Sequence, residues 1–99
     1  MSDLPPELPE LQTGDLDAPT LAALFDDLER HTDVLDVLVK GSPTRHVSPT
    51  PIPLREAQAL LAAGEVRGVQ VRYRWQGAEW RDTLMQLPAV VRVVRMQMP

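Results

Sequence analysis

Ninety-nine residues with 14 acidic and 10 basic side chains, a net charge of −4 and no cysteine describe one small acidic domain without a disulfide framework or a thiolate metal site. A chain of this size buries roughly 60–65% of the surface its unfolded form exposes, enough for one core and too little for a deep cleft between domains. Hydrophobic residues at 43% and charged residues at 24% match ordinary folded proteins, and no run approaches the ~18–20 apolar residues of a membrane span.

The opening Met-Ser-Asp-Leu-Pro-Pro-Glu has neither a basic start nor an apolar stretch, so the expected location is the cytoplasm, with no membrane association. Residues 1–17 combine Asp3, Glu7, Glu10, Asp15 and Asp17 with Pro5, Pro6 and Pro9 and carry no basic side chain, a composition that reads as a flexible acidic tail. The remainder, 18–99, reads as one domain.

Asp17 is placed to cap a helix, Pro19 falls in its first turn, and Leu21, Leu24, Phe25 and Leu28 recur at helical spacing, which predicts a helix over 18–31. Val34 to Val39 then alternate as a strand, with Leu35, Val37 and Val39 on one side and Val34, Asp36 and Leu38 on the other. Apolar residues on both sides suggest a central or covered strand.

Residues 41–53 hold Pro43, Pro49, Pro51 and Pro53 and read as an extended loop with at most a short edge strand near Arg45 to Ser48. Loops of this length in small domains commonly carry contacts, so Arg45 and His46 are candidate partner-binding residues. Ser42-Pro43, Ser48-Pro49 and Thr50-Pro51 also fit proline-directed modification or a polyproline segment, although a stiff connector accounts for them equally. A second helix begins after Pro53, shows Leu54, Ala57, Leu60 and Leu61 on one side and stops at Gly64.

The final third predicts a three-stranded meander. Val69, Val71, Tyr73 and Trp75 alternate with Gln70, Arg72 and Arg74, and Gln76-Gly77 supplies a two-residue turn. That turn sets Trp75 opposite Ala78, Tyr73 opposite Trp80, Arg74 opposite Glu79 and Arg72 opposite Arg81. A last strand spans Val90 to Met96, where Arg92 and Arg95 lie three apart and therefore on opposite faces, with the inward one left open. The expected architecture is α+β in two layers: two helices on one face of a mostly antiparallel four-stranded sheet, ending in the meander.

Charge is segregated along the chain: residues 1–40 hold ten acids and two bases, residues 65–99 six arginines and three acids. The candidate site is therefore an arginine-bearing sheet face, Arg72, Arg74 and Arg81 with Arg92 as a further member, offered to a partner or an anion. Cross-strand neutralisation by Glu79 and by the acidic tail is the plain structural alternative, against which the opposition of Arg72 and Arg81 stands. Nucleic acid fits poorly, because Tyr73, Trp75 and Trp80 fall on the face opposite the arginines and the whole chain is acidic.

Asp82 is the one carboxylate on the apolar face of the meander. Desolvation would fit it for acid or base work, whereas a bulge turning it outward, a pairing with Arg92 or Arg95, or local hydrogen bonds would make it structural. Glu29, His31, Asp33 and Asp36, with His46 in the loop, have no recognised metal spacing, and no phosphate-loop or nucleophile-elbow motif occurs. The expectation is a small protein without catalysis or cofactor of its own, binding a protein partner or a second copy through the arginine face, the proline loop or both. A small-anion or catalytic domain using Arg72, Arg74, Arg81 or Asp82 is the competing expectation.

Overall fold

The computed structural model describes residues 12–41 and 52–99 and has the order β1 (Gln12–Leu16), α1 (Ala18–His31), β2 (Asp33–Lys40), α2 (Leu54–Ala62), β3 (Gly68–Trp75), β4 (Ala78–Gln86) and β5 (Val91–Gln97). The strands form one antiparallel sheet in the order β1-β5-β4-β3-β2, and the two helices share one of its faces. The fold is thus α+β as expected, but with five strands rather than four. No helix among the described residues is long and apolar enough to cross a membrane.

The additional strand lies in residues read as tail. Gln-Thr-Gly-Asp-Leu has no alternation of its own; it becomes a strand because β5 offers it a ladder, Gln12 opposite Arg95 through Leu16 opposite Val91. Leu16 then packs against the core, and Asp15 meets Arg92 directly across the pair. The acidic tail proper, residues 1–11, and the proline-rich stretch 42–51 lie outside the described residues, and with them any edge strand near Arg45.

Helix α1 begins and ends where the spacing predicts. Asp17 Oδ1 accepts from the Thr20 amide at 2.9 Å, and Pro19 sits in the first turn. Fourteen residues give about 21 Å of helix, matching the roughly 19 Å across five strands, so α1 carries the chain from the β1 edge to the β2 edge. Its Leu21, Phe25 and Leu28 are buried against the sheet. Helix α2 closes with paired bonds from the Gly64 amide to Leu61 O and from the Glu65 amide to Leu60 O, with Gly64 at φ +73°.

Strand β2 departs from the expected pattern in two ways. It is an edge strand, whose outer side accepts one backbone bond among the described residues, from the Ile52 amide to Val37 O at 3.3 Å. A bulge between Val34 and Asp36 also breaks the alternation: Val34, Val37 and Val39 face the helices, while Leu35 is 42% exposed. The meander registers as predicted, with Trp75 opposite Ala78, Tyr73 opposite Trp80 and Arg72 opposite Arg81. Both turn residues take positive φ, Gln76 at 52° and Gly77 at 79°, the combination that a right-twisted two-residue hairpin requires. Val69, Val71, Tyr73, Trp80 and Leu84 complete the core beneath the helices.

The bulge leaves Leu35 outside the core, and comparison with a core residue tests this. Phe25→Ala should lower stability by about 3–5 kcal/mol through the cavity it leaves, whereas Leu35→Ala should change it by less than about 1 kcal/mol; urea denaturation of both variants measures the difference.

Candidate functional site

Period-two geometry puts alternate residues of each strand on the face away from the helices. Four rows cross it: Met96, Arg81, Arg72 and Asp36; Glu79, Arg74 and Asp33; Val94, Thr83, Gln70 and Leu38; and Asp15, Arg92, Met85, Gly68 and Lys40. The register therefore brings Arg72, Arg74 and Arg81 to one surface, as the alternation predicts, and Arg92, whose direction the sequence leaves open, joins them there. It also brings Asp15, Asp33 and Asp36 there, and these acids come from the two edge strands. Arg45 and His46 lie outside the described residues.

Most of this positive charge is met locally. Arg72 Nη1 donates to Glu79 Oε2 at 3.0 Å, so the guanidinium leans away from Arg81 opposite it, and Asp36 flanks its other side. Arg74 stands between Glu79 and Asp33 in register. Arg92 donates through Nε to Asp15 Oδ1 at 2.9 Å; that hydrogen bond holds the Asp15 carboxyl below its ordinary range and raises Arg92. Arg81 differs: its cross-strand neighbours are Arg72 and Met96, and its Nε is shielded from water with no acceptor among the described residues. Half-buried Val94 and Met96 lie beside it on β5, and Met85, farther along β4, is 38% exposed.

On the helix face Arg95, not Arg92, points inward. Asp82 is fully buried and sits directly opposite Arg95, whose Nε and Nη2 donate to Oδ1 and Oδ2 at 2.9 and 2.8 Å, while Tyr73 OH donates to Oδ1 at 3.0 Å. No bulge turns Asp82 outward, since both ladders run unbroken past it. This clamp joins β3, β4 and β5 and engages both carboxylate oxygens. The Asp82 hydrogen bond and charge hold Arg95 firmly protonated, and burial followed by the Asp82 charge raises the Tyr73 phenol above its usual value.

The acids considered for metal binding are divided between surfaces. Glu29 pairs, with Asp26, to Arg55 of α2, which ties the two helices together, whereas Asp33 and Asp36 lie on the open sheet face. No group of three or more His, Cys, Asp or Glu among the described residues is arranged to hold a metal ion. The interstrand pair Asp15–Arg92 and the interhelical bridge from Arg55 escape sequence reading because their partners are 77 and 29 residues apart.

Comparison of the chain with protein-family models, with curated proteins and with solved structures finds no match in any of the three.

Asp82→Asn should destabilise the protein by about 2–4 kcal/mol, less than a sealed buried pair because 34% of the Arg95 side chain stays exposed; Asp82→Leu/Arg95→Met, which removes both charges, should recover most of that loss in urea denaturation. Tyr73 is the chain's one tyrosine, so its phenolate absorbance reports it alone. Its raised pKa contributes stability that is complete below about pH 10, the unfolded value, and is lost as pH rises toward the folded value. Tyr73→Phe should flatten that alkaline slope.

Proposed function

We propose that the protein is a small interaction module, without catalysis of its own, that binds the acidic surface of a partner protein through the open face of its sheet. The observation that carries this reading is Arg81. Among the described residues it is the one arginine of this face with no acidic cross-strand neighbour and no ion pair, so its charge is left for a carboxylate arriving from outside. Arginine and methionine are enriched in protein interfaces, and Met85, Met96 and Val94 supply the apolar surface around it.

The balance of charge supports a specific partner over a polyanion. Arg72, Arg74 and Arg92 already have acidic neighbours, and the aromatic rings Tyr73 and Trp80 are buried beneath the helices, away from any strand that would need stacking platforms. The proline loop with Arg45 and His46 belongs to the same proposal, because it connects to β2 at the edge of this sheet. The cysteine-free composition suits work in the cytoplasm.

Arg81→Glu tests the reading, with Arg30→Glu on the exposed side of α1 as the control and circular dichroism to establish folding. The wild type and the control should recover one stoichiometric protein from the native cell, and Arg81→Glu should lose it by about tenfold or more. Recovery unchanged by Arg81→Glu, or self-association seen by light scattering with no second protein, would overturn it.

A further inference from the structure

The helix side of the sheet carries a second feature, independent of the open face. Between the last turns of α1 and the ends of β3 and β5 lies a pocket of about 460 Å³, within the range of small-molecule sites. Its walls differ in character. Leu24, Leu28, Tyr73 and Trp75 make it apolar and aromatic, Arg95 brings a cation to it from β5, and α1 brings the Asp27 carboxylate together with His31 and Thr32 of its last turn.

The two charges do not pair with each other. Arg95 cannot swing to Asp27, because Nε and Nη2 are both committed to Asp82 and the guanidinium lies 6.0 Å from the Tyr73 ring centroid. Asp27 acts on Arg95 through space without forming an ion pair with it. Nη1 of Arg95 has no partner among the described residues. The Asp27 carboxylate stands beside the last turn of α1, whose negative dipole end is already met in part by Arg30 and His31. Trp75 is 38% exposed and braced edge-on against Trp80 at 6.3 Å, a fixed aromatic rim.

A pocket whose lining holds a guanidinium fixed in place, a carboxylate not paired to it and aromatic rings complements a small zwitterion with an apolar body. A simple carboxylic acid would satisfy Arg95 and be repelled by Asp27; a simple amine would do the reverse. We infer that this pocket binds a free α-amino acid with an apolar or aromatic side chain, its carboxylate on Arg95, its ammonium toward Asp27 and the end of α1, and its side chain against Trp75 and Leu24. Because the Nε–Nη2 edge of Arg95 is taken by Asp82, the carboxylate would meet the Nη1 end through a single charge-assisted bond.

The experiment is a titration of the full chain with L-phenylalanine, 3-phenylpropionate and phenethylamine, followed by the indole N–H resonances of the two tryptophans. L-Phenylalanine should shift the Trp75 signal saturably at concentrations up to about 10 mM, and either analogue, lacking one charge, should bind about tenfold or more weakly. Asp27→Asn, an exposed substitution outside the core, should weaken the amino acid by a similar factor while leaving or strengthening 3-phenylpropionate. No saturable shift, equal affinity for all three compounds, or affinity for the amino acid unaffected by Asp27→Asn would each overturn the inference.

Discussion

The register between β3 and β4 is the constraint from which the rest of the structure follows. Gln76 and Gly77 reverse the chain with both φ angles positive, and from that turn each pair is counted outward: Tyr73 with Trp80, Val71 with Asp82, Val69 with Leu84. A slip of one residue would turn Arg72 and Arg74 toward the helices and expose Val71 and Tyr73. The turn therefore decides which surface is core and which can meet another molecule.

Within that frame Asp82 is the costly choice. An apolar residue at this position would pack against Val71 and the helices with no ion to desolvate, and buried ion pairs seldom add net stability over such a replacement. What the carboxylate does instead is orient. Accepting from Tyr73 and twice from Arg95, it sets the positions of side chains on both neighbouring strands, and the arginine is held where packing alone would leave a long chain free to move. Only one of the two arginines of β5 has this role; Arg92, three residues earlier, emerges on the other face and neutralises Asp15.

How much of this is readable from residue order depends on distance along the chain. The helix over 18–31, its Asp17 cap, the end of α2 at Gly64 and every pair of the hairpin rest on neighbours within a few positions, so periodicity and turn chemistry reveal them. Strand β1 does not announce itself, since Gln12 to Leu16 owe their conformation to a partner near the other end of the chain. The Leu35 bulge is equally silent, because an alternating run looks the same whether or not one residue is extruded. The candidate face shows the same division. Alternation places Arg72, Arg74 and Arg81 together, but the acids that temper them come from edge strands whose pairing only the assembled sheet defines, so the isolation of Arg81 is a property of the fold.

The pairing of β1 with β5 brings Gln12 beside Arg95, and the Met98 amide is pinned to Glu79 O at 2.8 Å. The polypeptide thus enters and leaves the sheet at one corner. During synthesis the first strand has no neighbour until the last has left the ribosome, so closure of this edge is necessarily a late event.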